Sequence, residues 1–169
     1  MKKGLFGMVV LVFLLAGCQG VSDEEGTQDI KEKVHQYSVD HFDNVTASIT
    51  SHELIVTENN TENTYELPGE EFFVSIAPFI NETHPCAIHS LTGCQGELTG
   101  KDFYVYIEDE EGSVIVDKTM TSLENGFIDL WLPRDKTYHV TIEYDGEVAE
   151  ADISTFEGDD TCITTMQLL

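Results

Sequence analysis

Basic residues are scarce in this chain. Eight lysines and arginines stand against thirty-two aspartates and glutamates, a formal charge of −24, and a surface this acidic repels nucleic acid and anionic lipid. Nucleic-acid binding is excluded on that ground. The sequence also has no Gly-x-Ser-x-Gly, no phosphate-cradling Walker loop and no dinucleotide fingerprint. Its most glycine-dense stretch, GCQGELTG, offers no lysine to hold phosphate and no helical pattern behind it. No apolar run reaches the roughly 20 residues that a membrane-spanning helix requires. There is no internal repeat and no long low-complexity tract.

At the start of the chain Lys2 and Lys3 precede an apolar run over residues 5–15, which Leu15-Ala16-Gly17-Cys18 closes. That order resembles a bacterial lipoprotein signal, a segment removed on export rather than an anchor. The resemblance implies that residues 1–17 are lost and that Cys18 carries lipid, which holds the protein to the membrane outside the cytoplasm. Losing the two lysines moves the formal charge from −24 to −26. Residues 18–28 are polar and are expected to be a flexible tether.

Ile30, Val34, Tyr37 and His41 recur at helical spacing and predict one short amphipathic helix. The segments ASITSHELIVTE, NTYELPG and EFFVSIAPF are rich in β-branched and aromatic residues and predict strands, giving an N-terminal α+β unit over residues 29–82. From residue 102 the pattern is β throughout: about six short strands separated by Glu-Glu-Gly, Pro-Arg-Asp and Asp-Gly turns. Tyr138, Val140, Ile142 and Tyr144 alternate with polar neighbours, so one sheet face is apolar and the other wet. The expected fold is mainly β. Residues 83–169 form a cysteine loop and a C-terminal antiparallel β-sandwich, the loop lying between the two halves and read as a loop or a single helical turn.

With Cys18 assigned to lipid, Cys86, Cys94 and Cys162 remain, and an odd number leaves at least one thiol outside any intramolecular pairing. Cys86 and Cys94 meet if their glycine-containing loop folds back on itself. Cys162, sixty-eight residues beyond Cys94, joins them only if the last strand runs beside that loop. Three soft sulfur donors with His89 three residues after the first suit Cu(I), and Zn(II) accepts the same set in a tetrahedron. A thiol pair can also reduce Cu(II) while closing to a disulfide. The spacing Cys-x2-His-x4-Cys is not specific by itself. A disulfide with one spare cysteine, in a structural or interaction lipoprotein, accounts for it nearly as well.

The stretch HPCAIHSLTGCQGEL, followed by a β-rich tail ending in DDTCITTMQL, resembles the CueP family of periplasmic copper-resistance proteins over roughly half the chain. The resemblance implies a protein that sequesters copper, is linked to Cu(II) reduction, and gathers three cysteines in one site. They correspond to Cys86, Cys94 and Cys162, with His89 as the nitrogen donor. It further implies a thiol reductant or a copper-accepting protein as partner, and a homodimer. A lipid on Cys18 departs from the family's freely diffusing members and confines such a role to the membrane surface.

The other candidates read as structural. His84 is expected to be an exposed loop histidine, and His35, His41, His52 and His139 are expected to be solvated. Met166 and Trp131 belong to the core, with Met120 near a turn. Glu97 either orients His89 or caps a turn. The run Glu108-Asp109-Glu110-Glu111 is expected to be a solvated cluster at a hairpin, without the spacing of a calcium loop.

Overall fold

The computed structural model describes residues 23–169. The signal segment, Cys18 and the start of the tether lie outside the described residues. Helix α1 spans Asp23–Val39 and therefore begins within the stretch expected to be a tether. Ile30 and Val34 are buried and Tyr37 packs beside them, while His41 stays exposed beyond the helix.

Strands β1 (Val45–Ile49), β2 (Glu53–Glu58) and β3 (Thr61–Glu66) form an antiparallel meander. Asn59 and Asn60 turn β2 into β3 with φ of 49° and 63°, the left-handed conformation that a two-residue hairpin demands and that asparagine tolerates. Helix α1 covers this sheet through a core of Ile30, Val34, Ala47, Ile49, Leu54 and Val56.

Strand β4 (Glu71–Ile76) is buried on both faces, which explains its unbroken apolar reading as EFFVSI. Phe73 enters the α1 core, and Phe72, Val74 and Ile76 enter a second, larger one. Strand β5 is the pair His89–Ser90, hydrogen-bonded to β1 with His89 opposite Ile49. A loop was expected there, and two residues are too few to show any periodicity. Their strand character comes entirely from the partner.

Six strands follow, as the sequence predicts: β6 (Asp102–Asp109), β7 (Val114–Thr121), β8 (Ile128–Pro133), β9 (Thr137–Tyr144), β10 (Glu147–Ser154) and β11 (Cys162–Ile163). Four of them make one antiparallel sheet in the order β10-β9-β6-β7. The other two flank β4 in the order β11-β4-β8, with β8 antiparallel and β11 parallel to it. The two sheets face each other across the larger core, where Phe103, Val105, Ile107, Tyr138, Val140 and Ile142 meet Phe72, Val74, Ile128, Leu130 and Leu132. The parallel β11 departs from an all-antiparallel expectation. Chain direction is fixed by the long return of the last segment, which local sequence does not encode.

Strand β4 thus binds strands from beyond residue 82, so one sheet draws on both halves of the chain. Asp129 on β8 strengthens the junction, accepting hydrogen bonds from Ser75 on β4 (2.5 Å) and from Ser38 on α1 (2.7 Å). Met166 is buried in the larger core, and Trp131 is half-buried with its ring edge-on to Phe73 at 5.3 Å. The acidic hairpin run differs from expectation at Asp109. This side chain is buried and accepts from Lys136 Nζ at 2.6 Å and from the amides of Ser113 and Glu111. No helix among the described residues is long and apolar enough to cross a membrane.

Candidate metal centre

The cysteine segment is held by three hydrogen-bonded anchors, two of backbone groups and one through a threonine hydroxyl. The Ala87 carbonyl accepts from the Thr161 and Cys162 amides at 2.9 and 3.1 Å, which pins the start of β11 against the loop. The Thr161 hydroxyl, 1% exposed, accepts from the His89 amide at 3.0 Å and donates to the Ile49 carbonyl at 2.6 Å. It therefore stands between β1 and β5 and ties both to the residue preceding Cys162. Beyond β5, the Cys94 amide donates to the Ser90 carbonyl at 2.9 Å, closing a turn that folds Cys94 back toward Cys86.

The turn continues into a tight backbone crossing. The Gly96 amide donates to the Asn125 carbonyl at 2.7 Å, and a Cβ on Gly96 would meet the Gly126 carbonyl oxygen at 2.7 Å. Gly126 itself has φ of +81°. Both positions need glycine, one for space and the other for conformation. Glu97 caps rather than orients: its carboxylate accepts from the Ile80 amide at 2.6 Å and the Asn81 amide at 2.9 Å. Those amides hold its carboxyl below the usual range.

These anchors bring the predicted donors together. Cys86 Sγ and Cys94 Sγ are 3.6 Å apart, and His89 Nδ1 is 3.4 Å from Cys162 Sγ. Ligand atoms of His89, Cys94 and Cys162 all lie within 4.8 Å of one another, as do those of His84, Cys86 and Cys94. Cys94 is common to both sets. His84, expected to be an exposed loop side chain, is half-buried and belongs to the cluster. The remaining histidines stay apart from it. His139 bonds Asp152 at 2.9 Å on the wet face of β9, and His52 contacts Ser51.

The three cysteines are free thiols, so no disulfide staples the loop. Their environments differ. Cys162, 2% exposed, packs with Ala77 and Phe127, and Cys86 and Cys94 line the rim of that group. The Cys162 thiol beside Cys94 holds the Cys94 pKa well below the ordinary thiol value, against the effect of burial, with His89, His84 and the Ser90 backbone assisting. The same contact, together with burial, pushes Cys162 up, and burial pushes Cys86 up. The three thiols are therefore inequivalent, with ionisation favoured at Cys94 and disfavoured at Cys86 and Cys162.

His89 is fully buried beneath Phe127, whose ring centroid is 4.5 Å away. Its Nε2 is buried with no hydrogen-bond partner, the one such side-chain atom among the described residues. An orphaned buried polar atom costs about 1–3 kcal/mol and calls for an explanation. The cluster contains the three cysteines and His89 that the sequence singles out, together with Thr161 and Phe127, which it does not. Neither carries a signal beyond its neighbours, since one acts through a single hydroxyl and the other as a wall.

A mainly β protein with a half-buried centre of thiols and imidazoles has the donor set of a soft-metal-binding protein. The chain is a member of the CueP family: a family model described as "Periplasmic copper-binding protein CueP" matches residues 29–167. A solved structure titled "Crystal Structure of S.CueP" is 39% identical, with a TM-score of 0.78 over 83% of this chain and 89% of that one. Comparison with curated proteins gives no match.

Proposed function

We propose that this protein holds Cu(I) outside the cytoplasm through Cys86, Cys94, Cys162 and His89, and that a lipid on Cys18 keeps it at the membrane surface. The observation that carries the reading is that ligand atoms of His89, Cys94 and Cys162 lie within 4.8 Å of one another, with Cys86 Sγ 3.6 Å from Cys94 Sγ and one nitrogen of the buried imidazole unsatisfied. Metal–sulfur bonds of about 2.3 Å allow two sulfurs on one ion to lie up to about 4.6 Å apart. The Cys86–Cys94 separation of 3.6 Å is inside that limit. Soft thiolate and imidazole donors favour Cu(I), and family membership favours copper over zinc.

Metal analysis of reduced protein loaded with Cu(I) tests this. One ion per chain is expected. Changing even the outer partners of a metal ligand costs about 10–100-fold in affinity, so Cys94→Ser should lose at least that much. Equal copper content in the Cys86/Cys94/Cys162 triple serine variant would remove the thiols from the site. The anchor has its own test: Cys18→Ser should move the protein from the membrane fraction to the soluble fraction.

A second reading, Cu(II) reduction, rests on the close approach of Cys86 to the Cys94 thiolate. Each of two Cu(II) ions gains one electron. The two sulfurs give up those two electrons, Cys86 releases its proton, and an S–S bond forms. A thiol reductant must then reopen that bond before a second turnover. Trapping Cu(I) with a chelator and counting thiols should give one Cu(I) per thiol lost, and Cys86→Ser should abolish that equivalence.

A further inference from the structure

The donors form two overlapping sets that share a single sulfur, and they differ in access. His89 and Cys162 are sealed from solvent, whereas His84 and Cys86 are half-buried at the surface. Beside His84 lies an open cleft of about 280 Å³, lined by Glu82, Thr83, His84, Gln95, Gly96 and Glu97. Its two carboxylates give the approach to His84 a negative field, which raises the local concentration of cations. No comparable opening is lined by His89 or Cys162 among the described cavities.

From this arrangement we infer that His84 is a receiving ligand: copper binds first to His84, Cys86 and Cys94 at the cleft, then moves inward to His89 and Cys162 while Cys86 and Cys94 stay bound. The inference rests on the copper reading above and extends it from where the ion is held to how it enters. Phe127 stands beside both imidazoles, 4.5 Å from the His89 ring and 6.4 Å from that of His84. One apolar wall thus backs both positions, and the ion passes between them without returning to water. Atoms and charge balance without redox change. The bond to His84 breaks as those to His89 and Cys162 form, and Cys86, its Sγ 3.6 Å from that of Cys94, stays with Cys94 on the ion. Each thiol that joins the ion yields its proton to solvent, and takes one back on unloading.

A shared ligand matters because the ion is never released in transit. Exchange of one donor at a time at a low-coordinate centre avoids the desolvated bare ion, whose cost would otherwise set the rate. His84 therefore acts on the rate of loading and unloading, and hardly at all on the affinity of the final site.

The test follows transfer of Cu(I) from its coloured bicinchoninate complex to the reduced full-length protein by stopped-flow absorbance. His84→Gln, which keeps size and polarity but loses the imidazole donor, should slow transfer by about tenfold or more, with equilibrium affinity within about threefold of wild type. His84→Met, a soft thioether donor, should restore the rate. In a Cys162→Ser background the ion rests on the outer set, so adding His84→Gln should now weaken equilibrium binding. A His84→Gln rate equal to wild type overturns the inference, as does a loss that methionine does not restore. So does an affinity loss in the otherwise wild-type protein as large as that of His89→Gln, which would mean one undivided site. Each of these leaves copper binding itself intact. A wild-type protein that takes no Cu(I) from the chelate would instead overturn the copper reading.

Discussion

Replacing Thr161 with valine should separate the metal centre from the rest of the fold. Valine matches threonine in shape but has no hydroxyl, and that hydroxyl serves the buried His89 amide and the buried Ile49 carbonyl together. Leaving a buried donor or acceptor unsatisfied costs about 1–3 kcal/mol, so losing both costs about 2–6 kcal/mol. Against a typical domain stability of about 5–15 kcal/mol this is a large fraction. Thr161→Ser keeps both bonds and loses one methyl, worth about 1 kcal/mol. Urea unfolding followed by the fluorescence of Trp131, the only tryptophan, measures the difference directly. Copper affinity should fall with stability in the valine variant, since Thr161 also positions its neighbour Cys162, and should be retained in the serine variant. A valine variant within about 0.5 kcal/mol of wild type, the range of an ordinary surface change, would refute the assignment of Thr161 as the clasp.

Gly96→Ala places a methyl 2.7 Å from the Gly126 carbonyl oxygen. Overpacking of this kind costs about 1–3 kcal/mol, and the displaced turn carries Cys94 with it, so melting temperature and copper affinity should both drop. The lowered pKa of Cys94 favours its thiolate over those of Cys86 and Cys162. Iodoacetamide at pH 5 should therefore label Cys94 in the reduced, metal-free protein and spare Cys86 and Cys162, and uniform labelling would count against the thiolate. By linkage, the unfolded chain binds a proton that the folded chain refuses, so wild-type stability relative to Cys94→Ser should rise with pH up to the ordinary thiol value of 9.0. Asp109 is held down to about 2 from 3.8, chiefly by Lys136. Its contribution is present above pH 3.8 and is lost as pH falls toward 2, so Asp109→Asn should melt below wild type at pH 7 and approach it in strong acid.

Most of the β strands were legible because their residues carry a local rhythm. The alternation of Tyr138, Val140 and Ile142, the Asp145-Gly146 turn and the unbroken run in EFFVSI each report a strand, a hairpin or a strand covered on both faces. Strand β5 was not legible. Two residues show no period, and His89 and Ser90 are a strand only because β1 lies alongside. Helix α1 was found by its apolar spacing, but its first turn was not, since those residues read as a polar linker.

By itself, the sequence determined composition, charge, strand content and donor chemistry: an acidic, mainly β chain with three thiols and a histidine suited to a soft metal. Each of these is a property of residues or of their near neighbours. The tertiary structure alone decided that Cys162 stands beside a loop sixty-eight residues upstream, that His84 joins the cluster, and that the surroundings of Cys94 pull its pKa down while those of Cys162 push it up. Those facts depend on the parallel pairing of β11 with β4 and on one threonine hydroxyl bridging two strands. Contacts between distant segments are selected by the packing of the whole chain, and no local pattern records them.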